Sequence, residues 1–141
     1  MLRRKKKGAL KMSSLFSRII KGEIPCHKIL ENEEFLAFLD IKPLTSGHTL
    51  VIPKKEVDYL FDLEDELLGK LMIFSKKVAL ILKKEMPCKR IGLIVAGLEV
   101  PHTHVHLVPI NTLGDLSFAK AKPTPNEELA KIAERIRAHV I

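Results

Sequence analysis

The sequence has little of what several protein classes depend on. Its two cysteines, Cys26 and Cys88, are too few and too far apart in 141 residues for a disulfide framework. A small secreted scaffold is therefore excluded, and a reducing, cytoplasmic setting is expected. No stretch approaches the ~20 consecutive apolar residues of a membrane span, and none resembles a secretory leader. Internal repeats are missing, as are low-complexity tracts apart from one basic run. The net charge of +7 is local: Arg3, Arg4, Lys5, Lys6, Lys7 and Lys11 fall within the first 11 residues, and the remainder carries +1. A basic stripe on a folded surface is not indicated, nor is specific nucleic-acid binding, and any polyanion affinity would reside in a detachable tail. Residues 1–11 read as a basic, disordered extension and residues 12–141 as a single domain opened by Met12.

What is present is an ordinary core, with 46% hydrophobic residues, arranged in two periodicities. Leu15, Phe16, Ile19 and Ile20 have helical spacing after a serine that can cap, and Gly22 stops them. The two extended runs around "ENEE" predict a hairpin, "PLTSG" (43–47) a loop, and "HTLVIP" a β-branched strand that Pro53 ends. Leu67, Leu71, Phe74, Val78 and Ile81 recur at spacings of four and three, which predicts a long amphipathic helix stopped at Pro87. "RIGLIVAG" and the stretch from Pro101 to Ile110 predict two more strands, both central and buried. Thr124, Pro125 and Glu127 make a capping box for a terminal helix whose inner face is Leu129, Ile132, Ala133 and Ile136. Five strands and three helices, not strictly alternating, predict an α+β fold with a mainly antiparallel sheet.

Half of the chain's six histidines sit in "PHTHVHLVPI" at every second position. On a strand, His102, His104 and His106 share one face while Thr103, Val105 and Leu107 share the other. Imidazoles so close cannot all carry charge, and buried ones lose hydration when charged, so at least two are expected neutral and hydrogen-bonded. A neutral imidazole offers a bare nitrogen as nucleophile, base or metal ligand. Three readings follow: polar residues on a wet edge strand, a three-histidine zinc site if the row bends, or phosphoryl transfer with one imidazole attacking and the others orienting it. His48, opening the strand after "TSG", is placed to join them.

The motif "HTHVHLV", with Thr103 as a mild departure at an outward position, resembles the histidine triad family of nucleotide hydrolases and transferases. "FSRIIKGEIP", "FLAFLDIKP" and "GHTLVIPKK" are similar to the family's N-terminal half in order and spacing, so the resemblance spans about Ser14 to Pro109. It implies a five-stranded antiparallel sheet with packed helices, continued across a homodimer, and action on nucleotides substituted at the α-phosphate. By the resemblance, His104 attacks phosphorus and becomes nucleotidylated, and water then releases the nucleotide. His102 orients it through its backbone carbonyl and assists the leaving group, His106 contacts a non-bridging oxygen, and His48 completes the network. Phe16, Ile19, Ile24, Phe38 and Leu39 match base-lining positions, and Asp40 with Ile41 match the ribose positions.

The departures are equally informative. Zinc-containing members have Cys-x-x-Cys where this chain reads Ser14 and Ser17, and histidine where it reads Glu56, so no metal and no cofactor are expected. The phosphate-binding loop before the triad is shorter, with Ala96 at an asparagine position and Glu99 near a polar donor. The implied activity is hydrolysis of a purine nucleotide of the adenosine phosphoramidate type, releasing AMP. Dinucleoside polyphosphate hydrolysis, or nucleotide binding with weak or no catalysis, are the alternatives.

Overall fold

A computed structural model describes residues 14–141; the basic extension predicted over residues 1–11 lies outside them. Ser14 caps α1 (Leu15–Ile20) by accepting from the Ser17 amide, and Gly22, at φ 81°, turns the chain out of it. β1 (Lys28–Glu31) and β2 (Phe35–Leu39) form the predicted hairpin. Asn32 makes its turn, its side-chain oxygen accepting from the Glu34 and Phe35 amides at 2.9 and 2.8 Å. β3 (Thr49–Pro53), a 3-10 turn at Leu60–Asp62 and α2 (Asp65–Glu85) follow. Then come β4 (Arg90–Ile94), β5 (Val105–Ile110), 3-10 turns at Leu113–Leu116 and Phe118–Lys120, and α3 (Asn126–Arg137).

The sheet order is β1-β2-β3-β5-β4, every neighbour antiparallel. Strand alternation divides the apolar residues between two cores. Phe35, Ala37, Leu39, Val51, Val105 and Leu107 pack against α2 and α3. Leu36, Phe38, Leu50 and Ile52 pack on the other face against Phe16 of α1. The second, smaller core carries the site.

Three expectations need correction. β4 is an edge strand with Arg90 and Leu93 exposed, not a central one; an apolar run does not reveal which strand has an unpaired neighbour. The terminal helix begins at Asn126 with Pro125 at its cap and no side-chain cap bond. Thr124 is drawn away because its amide donates to the Ile41 carbonyl at 3.1 Å, and the reciprocal capping box forms instead at Thr112 and Asp115. Finally, only His106 of the three histidines lies within β5. The β3–β5 register sets Val51 opposite Val105, so Pro53 would face Thr103, and proline has no N–H to continue the ladder. The Thr103 amide and hydroxyl turn to the Val57 carbonyl, each at 2.7 Å, and Thr103 is buried where an outward position was expected.

Candidate active site

Four imidazoles gather where β3 and β5 meet the loop before them, and all four are buried. Their proton positions follow from their partners. The Leu44 amide, which can only donate, points at His48 Nδ1 from 3.0 Å. His48 therefore carries its proton on Nε2 and donates to His106 Nδ1 at 2.9 Å. His106 in turn bears its proton on Nε2. His104 Nδ1 lies 2.7 Å from the His102 carbonyl, which can only accept, so the proton sits on Nδ1 and Nε2 is bare. His102 Nε2 donates to the Pro53 carbonyl at 2.7 Å, leaving its Nδ1 to accept from the Ser14 hydroxyl at 2.9 Å.

The electrostatics agree with neutral rings at His48, His102 and His106. Burial, then the neighbouring His106, pushes His48 down to about 3. Burial, then His104, pushes His106 down to about 4. His102 is lowered by burial, partly offset by its bond to Pro53. Asp40 is raised by burial against the opposing Lys42 amide, which donates to Oδ1 at 2.8 Å.

His48, His104, His106, Asp40 and Glu99 line one cleft of about 510 Å³, together with Ala96 and Phe118. Phe16 packs edge-on to the His104 ring at 5.0 Å and to Phe38 at 5.7 Å, and Ile19 joins that cluster. Ile24 is half-buried in the turn after α1, and Ile41 is exposed beside a separate shallow depression that includes Pro25 and His27. Leu39 does not join Phe16 and Phe38: one residue on from Phe38 along β2, it faces the opposite core. Phe118, whose ring lies 5.1 Å from His106, was missed by the sequence reading. It sits in a single 3-10 turn with no periodic signal.

Two groups of side chains bring potential metal ligands together. Asp40, His48 and His106 place one possible ligand atom each within 4.8 Å. His48, however, has its only lone pair on Nδ1 and spends it on the Leu44 amide, so ligation through Nε2 would set two N–H donors against each other. Ser14, Ser17, Glu56 and His102 meet at the positions where the resemblance implies zinc. Two neutral hydroxyls replace the thiolates a structural zinc requires, and all four groups are already hydrogen-bonded. Neither donor set fits.

The geometry has counterparts. The HIT domain pattern matches residues 21–113. An uncharacterized HIT-like protein of Methanocaldococcus jannaschii is 36% identical over 128 residues, covering 87% of this chain and 98% of that one. The adenosine 5'-monophosphoramidase hnt1 of Schizosaccharomyces pombe is 40% identical over 100 residues, 70% of this chain and 74% of that one. A crystal structure of a Hit-like protein from Bartonella henselae superposes with a TM-score of 0.81 at 32% identity, covering 91% of this chain and 96% of that one.

Proposed function

The chain belongs to the histidine triad family of HIT-domain proteins, and on that premise we propose that it is a nucleotide hydrolase that releases AMP from adenosine phosphoramidates through a nucleotidyl-His104 intermediate. The observation that carries the reading is the tautomer of His104: Nδ1–H is committed to the His102 carbonyl, so the lone pair of the neutral ring lies on Nε2. Nε2 attacks the α-phosphorus as the P–N bond breaks, and the amine leaves with a proton taken up from solvent. Water then attacks the phosphorus as the bond to Nε2 breaks, its proton returns to solvent, and AMP and the original ring are freed. One difficult displacement becomes two easier ones. The Nε2–H of His106 stabilises a non-bridging oxygen, and His48 holds that proton in place from behind. Asp40 accepts from the ribose hydroxyls. Phe16, Ile19, Ile24 and Phe38 cover the base and Ile41 lies with Asp40 at the ribose, whereas Leu39 supports β2 from the other core.

Glu99 favours this substrate class over dinucleoside polyphosphates. An additional carboxylate in the cleft repels a polyphosphate leaving group and attracts an amine-bearing one. Two copies pair along β4, one of the two sheet edges, where Leu93 and Met72 of α2 expose apolar surface side by side. No helix among the described residues is long and apolar enough to cross a membrane.

The test compares turnover of AMP-lysine and diadenosine tetraphosphate, with mass spectrometry of quenched enzyme. Preferential AMP release from AMP-lysine, with an AMP adduct on His104, is expected. Binding of AMP with no turnover of either compound would favour a nucleotide-binding role, and preference for the polyphosphate would favour the other hydrolase.

A further inference from the structure

We propose that Glu56, acting through Ser17 and Ser14, is a positioning residue for the nucleophile: the cluster fixes the proton of His102, and His102 in turn fixes the proton of His104. The inference rests on the reading of His104 as nucleophile. Its basis is a hydrogen-bond chain in which every direction is determined. The Glu56 carboxylate accepts from the Ser17 hydroxyl and, at 3.0 Å, from the Ser14 amide. With its proton so committed, the Ser17 hydroxyl leaves the His102 ring to Ser14. Ser14 Oγ accepts from the Ser17 amide at 3.0 Å and donates to His102 Nδ1 at 2.9 Å. His102 Nε2–H meets the Pro53 carbonyl at 2.7 Å, and the His102 carbonyl receives His104 Nδ1–H at 2.7 Å.

The cluster stands outside the cleft, so it cannot touch substrate; its effect reaches phosphorus only through the His102 main chain. Ser14 and His102 are buried, at 6% and 0% exposure, so no water can replace a lost partner cheaply. In the opposite tautomer His102 Nε2 would turn a lone pair towards the Pro53 carbonyl, forcing the ring and its carbonyl to shift. His104 would then be free to carry its proton on Nε2, where it blocks attack. The charged or titratable groups acting on His102 are Glu56, which favours its protonation, and His104, which opposes it; Phe16 contributes only an apolar ring edge at 5.9 Å. Glu56 itself is held ionised chiefly by the Ser17 hydroxyl.

The experiment measures kcat and KM for AMP-lysine between pH 4.5 and 8.5 in wild type, Glu56→Ala, Glu56→Gln and Ser14→Ala, with thermal melting to confirm folding. Glu56→Ala and Ser14→Ala should lower kcat by ~10- to 100-fold at nearly unchanged KM, as expected when a reacting group is displaced by a fraction of an ångström. Glu56→Gln, which keeps an oxygen for Ser17, should restore most of kcat while moving the acid limb of the profile to lower pH, because the charge favouring protonated His102 is gone. Ser14→Ala should move it to higher pH, since the freed Nδ1 can then take a proton facing Glu56. Unchanged kcat in Glu56→Ala, or losses with no movement of the limb and no rescue by Gln, would overturn the proposal. Long-range proton–nitrogen spectra of the rings separate this from the catalytic reading. His102 protonated on Nε2 and His104 on Nδ1 in wild type, with both signatures lost in Ser14→Ala, supports the brace even in a chain that turns nothing over; unaltered signatures refute it even if the enzyme is active.

Discussion

Lowering the pH from 7 to 5 should destabilise the protein far more than its surface charges explain. At pH 5 an unfolded histidine, near 6.5, is about 97% protonated, whereas His48 at about 3 and His106 at about 4 are about 1% and 9% protonated. Unfolding therefore takes up about two protons from this pair alone, a slope of ~2–3 kcal/mol per pH unit at pH 5 and ~4 kcal/mol between pH 7 and 5. The sign follows from the downward shifts: the contribution is complete above 6.5 and is lost as pH falls towards 4 and then 3. His102, lowered too, adds in the same direction. Urea unfolding followed by circular dichroism at half-unit steps and fixed ionic strength reads the slope. His106→Gln should remove roughly one proton from it. A stability change below about 1 kcal/mol between pH 7 and 5 would mean that the imidazoles are not buried neutral, and the proton assignments would fall with it.

Three further outcomes are expected. His104→Ala should cost ~10³-fold or more in turnover while leaving AMP affinity measurable by calorimetry, as when a nucleophile is deleted; retained turnover would move the chemistry elsewhere. Gly47→Ala should destabilise by about 2–4 kcal/mol in denaturant titration, because Gly47 has φ +92° and an added Cβ would lie 2.8 Å from Met86 Cγ. A change under 1 kcal/mol would show that the turn before His48 tolerates rearrangement. Glu99→Gln should raise diadenosine tetraphosphate turnover relative to AMP-lysine by ~3- to 10-fold at low salt and less at high salt, consistent with an exposed charge.

The periodicities made the elements legible: α1, the hairpin, β3 and α2 all lie where spacing places them, because each buries one face and burial writes a local pattern. What escaped was non-local. Whether "RIGLIVAG" is central or at the edge depends on which strand β5 pairs with next. The start of β5 only at Val105 depends on a proline that is distant in sequence but would face Thr103 in register. In the site, the alternating histidines announced themselves, but two features of their surroundings did not. Leu39 was grouped with Phe38 by resemblance although adjacent strand residues face opposite cores. Ser14, Ser17 and Glu56 registered only as missing metal ligands, whereas their hydrogen bonds to one another and to His102 become visible only when α1 and the loop after β3 are brought together.

The bond from the Leu44 amide to His48 has an evolutionary corollary. Its donor is a peptide group, which every amino acid but proline supplies equally. Codon changes at position 44 can alter the packing of that loop, yet the proton they inherit on the neighbouring ring stays where it is. The least mutable part of this histidine cluster is thus written in a place that side-chain comparison cannot see.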